Sequence, residues 1–303
     1  MLPPDDFNPQ PGVAEELATG LRRLLAPNPS PMTYRGTNTY LLGERDIAVI
    51  DPGPDDPVHL QAILDALHPG QRISHIIVTH AHLDHSPLSR ALSARTGAPI
   101  YAYGDFRAGR SAVMEDLAAK GLAGGGEGVD AQFTPDKNVA DGQVIQGDGW
   151  QLRALWTPGH FGNHLSFEWE DAVFTGDLVM GWASSLVSPP DGDLTDFMRS
   201  CERLEGHRAT VYHAGHGAPV ANPAERLEWL LSHRRGRETS ILEALETAPG
   251  TARSLAERIY TETPPALMGA AARNVFAHLV DLVGKNLVKP ENELSETTSF
   301  TLK

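Results

Sequence analysis

Apolar residues in the first half of the chain fall alternately into short strand-like runs and helix-spaced clusters. Residues 37–43 (TNTYLLG) and 47–50 read as strands joined by the polar turn Glu44-Arg45-Asp46. Val58, Leu60, Ile63, Leu64 and Leu67 recur at helical spacing, and Pro69-Gly70 closes that segment. Residues 73–79 (ISHIIVT) form the continuous apolar run of a buried strand. Residues 86–95 then read as a helix and 99–103 as a strand. Residues 104–140 are the least regular stretch, with a helical middle at 111–120 and a glycine-rich tract from Gly121 to Gly128. A connection of this length is either functional or mobile. Strands follow at 150–156, 165–169, 172–175 and 210–212, each ending near a turn that carries His or Asp.

The pattern changes at Arg234-Arg235-Gly236-Arg237. Helices are expected at 240–247, 254–260 and 266–284, and short strands at 287–289 and 299–302. Three helices and a hairpin make the pattern of a winged helix. The chain is therefore divided into residues 1–235 and 236–303, one large domain with a modest appendage.

Composition narrows the picture only a little. With 41% hydrophobic and 21% charged residues, disorder is not the default. Apolar stretches are broken by charge or Gly short of a membrane span, so no membrane partner is expected. The start, Met1 to Asp6, lacks the basic and apolar regions of a signal peptide. Cys201 is the lone cysteine, which excludes an internal disulfide framework. A cytoplasmic location is the default expectation. The net charge of −14 repels a polyanion at long range. Residues 236–303 hold seven Lys/Arg against nine Asp/Glu, and the candidate recognition helix at 267–283 carries only Arg273. Phosphate contacts dominate nucleic-acid affinity, so double-stranded DNA is a poor partner. Packing on the larger part, shaping its cleft or mediating a homo-oligomer is the expected role of this tail.

The run His80-Ala81-His82-Leu83-Asp84-His85 carries the chemistry. In an extended segment His80 and His82 point the same way, while Asp84 and His85 diverge toward a second ion. Four ligand-type side chains in six residues suit two divalent cations. Imidazole with a little carboxylate favours zinc; iron, manganese or nickel are compatible. One loop cannot complete two coordination spheres. His160 in Thr157-Pro158-Gly159-His160 offers a third imidazole to the first ion, Asp177 in Thr175-Gly176-Asp177 a bridging carboxylate, and His216 in Gly215-His216-Gly217 a ligand to the second.

His80 to His85, His160, Asp177 and His216 resemble the metallo-β-lactamase superfamily, and Ile50-Asp51-Pro52-Gly53 looks like its first motif. The resemblance covers residues 33 to about 220. It implies an α/β fold, a four-layer αβ/βα sandwich with the site at one edge between two sheets, followed here by a small winged-helix-like domain. It also implies that one ion takes His80, His82 and His160, and the other Asp84, His85 and His216, with Asp177 bridging. Asp51 would stand behind the ligands and fix the metal loop. His164 either lines the site or caps a turn, and His213 is expected to be structural. Ser86-Pro87 and Phe161 depart from the Gly-Gly and Thr that many members carry.

Arg35 to Tyr40, Thr157 to His164 and the tail together resemble the β-lactamase-like protein 2 group within this superfamily. The implied activity is hydrolysis of an ester, thioester, lactone or phosphodiester by hydroxide activated between two ions, with Asp84 accepting the proton. A small-molecule substrate is one expectation and single-stranded RNA the alternative. An iron redox protein and a non-catalytic nucleic-acid-binding scaffold are the remaining classes. Against the first, His82 stands where the flavo-diiron branch has Glu; against the second stands the complete ligand set. Trp182 and Ser184 either line the substrate pocket or belong to a packed loop, and Asp191-Gly192-Asp193 reads as a turn.

Overall fold

Period-two alternation along the strands decides which core each side chain enters. The computed structural model describes residues 6–303; residues 1–5, on which the N-terminal reading rests, lie outside the described residues. A seven-stranded sheet runs in chain order: β1 (Glu15–Ala18), β2 (Leu21–Leu25), β3 (Asn38–Leu42), β4 (Asp46–Ile50), β5 (Arg72–Ile77), β6 (Ile100–Ala102) and β7 (Lys137–Asn138). Pairing is antiparallel from β1 to β4 and parallel from β4 to β7. Helices α1 (Pro57–Asp65), α2 (Leu88–Thr96) and α3 (Ala112–Ala119) occupy the parallel crossovers. The second sheet holds β8 (Val144–Gln146), β9 (Gln151–Trp156), β10 (Leu165–Trp169), β11 (Ala172–Gly176) and β12 (Val211–Ala214). Between its parallel last pair lies α4 (Leu194–Glu205).

Tyr40, Leu42, Ala48 and Ile50 meet Leu152, Ala154, Phe167 and Phe174 in a core between the two sheets. Their neighbours Leu41, Ile47 and Val49 turn the other way, onto Ile63 of α1 and Leu88 and Leu92 of α2. On the outer face of the second sheet, Leu155, Val173 and Tyr212 pack on Phe197 and Cys201 of α4 and on Leu227 and Leu230 of α5 (Pro223–Thr247). Helices, sheet, sheet, helices: this is the four-layer sandwich that the resemblance implies.

The winged-helix part comprises the end of α5, α6 (Ala252–Ile259), α7 (Met268–Gly284) and the hairpin β13 (Val288–Pro290) with β14 (Phe300–Leu302). Thr251 and Ser254 close a capping box at the start of α6. Its core joins Ile241 of α5, Leu255 of α6, Val275 and Leu279 of α7 and Phe300 of β14 to Met114 and Leu117 of α3. The division near residue 235 falls inside α5, which is about 37 Å long at 1.5 Å per residue. One end of that helix sits in each core.

Three features depart from the sequence reading. Strands β1, β2, β7 and β8 were not expected; Leu21-Arg22-Arg23-Leu24-Leu25 shows no polar face, yet Arg22 is buried on Gln71 and Arg23 on Glu15. Helices α4 and the first half of α5 were also missed. The basic run beginning at Arg234, read as a change of character, is helix interior, and Arg234 is 3% exposed. Finally, Pro265–Gly284 is long and apolar enough to cross a membrane by length and composition, contrary to the expected interruption. More than half of it is buried in the protein, and Asp281 on it is held by Thr195 and Lys285.

Because Leu117 is 1% exposed in a core shared with α6 and α7, Leu117→Ala is expected to destabilise the protein by about 2–5 kcal/mol in urea unfolding. Loss of hydrogen-exchange protection should reach α6 and α7; protection lost only within α3 would contradict the shared core.

Candidate metal centre

Every sequence-selected ligand lies past the C-terminal end of a strand, and the two sheets bring those ends to one edge. The loop after β5 carries His80, His82, Asp84 and His85; the turns after β9, β11 and β12 carry His160, Asp177 and His216. Asn38 stitches the edge together by donating its Nδ2 to the carbonyls of Ala214 (3.0 Å) and Gly217 (2.9 Å). Small residues are obligatory here. A Cβ on Gly215 would stand 2.3 Å from Asp177 Oδ1, and Gly176, at φ +45°, would meet His164 Nε2 at 2.6 Å.

The seven side chains form two groups that share Asp177: His80, His82 and His160 with Asp177, and Asp84, His85 and His216 with Asp177. Donor atoms in each group lie within 4.8 Å of one another, and all seven residues are buried. His82 Nδ1 is 3.0 Å from His80 Nε2 and 3.1 Å from His160 Nε2. His216 Nε2 is 3.1 Å from Asp84 Oδ2 and 3.2 Å from Asp177 Oδ2. A tetrahedron with bonds of 2.0–2.1 Å has edges of about 3.3–3.4 Å, so these separations suit zinc-sized cations. Asp84 Oδ1 and Asp177 Oδ1 are buried with no hydrogen-bond partner among the described residues, as oxygens reserved for a cation would be.

Hydrogen bonds behind the cage settle which ring nitrogen faces in. Thr79 Oγ1 donates to Asp51 Oδ2 (2.8 Å), so toward His80 Nδ1 (2.9 Å) it accepts. His85 Nδ1 donates to Asp51 Oδ2 (2.9 Å), His160 Nδ1 to the Leu186 carbonyl (2.7 Å) and His216 Nδ1 to that of Gly36 (3.1 Å). Four rings therefore hold a proton on Nδ1 and aim Nε2 inward, the nitrogen left to bind a cation once any second proton is displaced. His82 is the exception: its Nδ1 faces the cage. Both nitrogens of His164 are taken, Nε2 accepting from the Asp177 amide (3.3 Å) and Nδ1 on Thr157 Oγ1 (2.9 Å). It holds the Asp177 turn and is left out of the cage. His213 packs between Tyr40 and Phe174, and Asp193 caps α4.

Charge is unevenly placed. Burial works against charging His216, but Asp177 and Asp84 beside it push its pKa up to about 10. Burial opposes charge on His85 too, yet Asp84, Asp177 and Asp51 lift it well above the usual imidazole range. Burial, with His160 alongside, takes His82 down to about 3. For Asp84 and Asp177 burial favours the neutral acid, but the facing imidazoles hold both well below the usual carboxylate range. Ionised carboxylates thus attract positive charge to the His85–His216 side, and a cation entering there displaces protons.

The cage opens into a cavity of about 310 Å³, which Trp182, Ser184, Leu186, Met180 and Glu127 also line. Sequence reasoning missed Thr79, whose place before His80 was a readable signal. It also missed the Leu186 and Gly36 carbonyls, for which no local signal exists. Phe161 sets its ring edge-on to His82 with the centroids 4.8 Å apart. Ser86 donates to Asp130 (2.8 Å), tying the metal loop to the end of the glycine-rich connection.

Residues 32–216 match the metallo-beta-lactamase superfamily, and residues 251–295 match the beta-lactamase associated winged helix domain. The chain is 29% identical over 293 residues to a beta-lactamase-like protein 2 homolog of Caenorhabditis elegans, covering 93% of this chain and 90% of that protein. It is 30% identical over 267 residues to the atrochrysone carboxyl ACP thioesterase of Aspergillus fumigatus, covering 86% and 75% respectively. A metallo-beta-lactamase family protein from Thermus thermophilus has a similar structure, with a TM-score of 0.75 at 26% identity, covering 95% of this chain and 100% of that one.

Elemental analysis of purified protein should find about two metal equivalents per chain. Asp177→Ala, which removes the shared carboxylate, and His82→Ala should each lose stoichiometric metal together with hydrolysis. A variant that lost metal and kept full activity would refute the assignment. Asp51→Asn should weaken metal affinity about 10–100-fold in chelator competition.

Proposed function

This chain belongs to the metallo-beta-lactamase superfamily of hydrolases, and on that premise we propose that it cleaves an uncharged ester or thioester of a small molecule. The two cations would be held by His80, His82 and His160, by Asp84, His85 and His216, and by Asp177 between them. Zinc is the metal this donor set favours. Such cations supply a water of lowered pKa and Lewis acidity toward a carbonyl oxygen.

The residues of the chain do the rest. Asp84 lines the cavity beside the cage, so the carboxylate that would hold a cation also faces the attacking water and is the group that takes its proton. Asp51, Thr79, Leu186 and Gly36 hold the rings at fixed tautomer and angle, so no reorganisation accompanies the reaction.

One observation carries the choice of substrate. Among the described residues that line the cavity there is no Lys or Arg, and its acidic members are Asp84, Glu127 and Asp177. A phosphodiester backbone would meet repulsion from Glu127 and no compensating cation on the wall. A neutral carbonyl compound meets mostly apolar contacts. The thioesterase name of the Aspergillus relative supports the same reading.

A panel of carbonyl esters, thioesters, lactones, bis-p-nitrophenyl phosphate and single-stranded RNA, assayed on metal-loaded protein, tests it. Carbonyl hydrolysis that a chelator abolishes is expected. Phosphodiester cleavage without carbonyl hydrolysis would overturn the proposal.

A further inference from the structure

The winged-helix part reaches into the catalytic cavity. Tyr260, Leu267, Ala270 and Ala271, all from α7 and the segment before it, line the same space as His82, Asp84, His160, Asp177 and His216. Arg273, the single base of the candidate recognition helix, is turned inward. Its Nη1 donates to the Ala123 carbonyl (2.8 Å) and to Ser188 Oγ (3.2 Å). Next to it on α7, Asn274 Oδ1 accepts from the Val187 amide (3.2 Å) and from Arg234 Nη1 (3.1 Å). Arg234 also donates to the Ser185 carbonyl.

Arg273 and Asn274 thus each clamp one wall of the cavity. Arg273 holds the tract that leads to Gly126 and Glu127, and Asn274 holds the segment that carries Ser184 and Leu186. A helix used in this way has no side chain left to read a phosphate. What it offers the cavity is mostly apolar or small: Leu267, Ala270, Ala271 and Tyr260, with Thr263 and the clamped Asn274 as its polar members.

We propose that this face of the winged-helix part is the acyl-binding wall of the active site. It receives the alkyl chain of a medium-length acyl thioester or ester whose carbonyl lies at the metal cage. The proposal rests on the carbonyl-hydrolase reading above and adds the chain-length preference to it. Each methylene moved from water onto such a wall is worth about fourfold in kcat/KM, until the chain outgrows the cavity. Ala270 and Ala271 leave the room for it, so a larger side chain at residue 270 occupies the place of the chain.

The test uses the full-length, metal-loaded protein with S-acyl-N-acetylcysteamine thioesters from acetyl to decanoyl. For the wild type, kcat/KM should climb with chain length. Ala270→Phe should lower the octanoyl-to-acetyl ratio at least about tenfold while metal content stays at the wild-type value. Leu267 is 37% exposed, so Leu267→Ala does not threaten folding; it should lower the ratio several-fold. A nonhydrolysable decyl thioether analogue should protect residues 260–274 from hydrogen exchange, and the ethyl analogue should not. Thioester hydrolysis with a ratio unchanged in both variants, or with no protection of residues 260–274, overturns this proposal alone. No carbonyl hydrolysis at all would overturn the parent reading and this one with it.

Discussion

The carboxylate of Asp51 is the constraint on which the site depends. It leaves the end of β4 at φ +51°, a left-handed conformation that costs a non-glycine residue of order 1 kcal/mol or more. From there Oδ1 accepts the Thr79 amide (2.8 Å), while Oδ2 accepts the Thr79 hydroxyl and the Nδ1 proton of His85. One buried side chain therefore joins the ends of two neighbouring strands to a ligand of each metal group: through Thr79 to His80, and directly to His85. Without it neither ring has a reason to present Nε2 rather than Nδ1.

The same logic extends outward through backbone carbonyls. His160 is oriented by Leu186, and Leu186 sits in a segment that Asn274 and Arg234 hold. His216 is oriented by Gly36, just before the β3 residue that stitches the two sheets together. Ligand geometry is thus coupled on one side to the sandwich edge and on the other to α5 and α7. The winged-helix part is continuous with the site in packing terms. Its helices share a core with α3 and its side chains share the cavity.

How much of this could be read in advance follows from the range of each interaction. The candidate ligands that the fold brings together could be picked out because HxHxDH is local and the other three sit at strand ends beside Gly, where turn chemistry and ligand spacing coincide. The central strands were legible because alternation such as Ala48 and Ile50 against Ile47 and Val49 is written in four residues. β2 was not, because its Arg22 and Arg23 are buried by partners that lie far along the chain or in an unrecognised strand. α5 was misread for a related reason: Arg234 looks like a surface residue until Ser185 and Asn274 are in place. His164 is the sharpest case. The sequence leaves it either lining the site or capping a turn, and only the Asp177 amide and Thr157 decide that it holds a turn.

The protein presets five imidazoles, four presenting Nε2 inward and His82 alone presenting Nδ1. Nitrogen NMR of the zinc-loaded protein with labelled histidine measures this most directly. His80, His85, His160 and His216 should show metal-bound Nε2 with a slowly exchanging Nδ1 proton, and His82 the reverse. A His82 that kept its proton on Nδ1 in the zinc-loaded protein, or a His85 bound through Nδ1, would contradict the account.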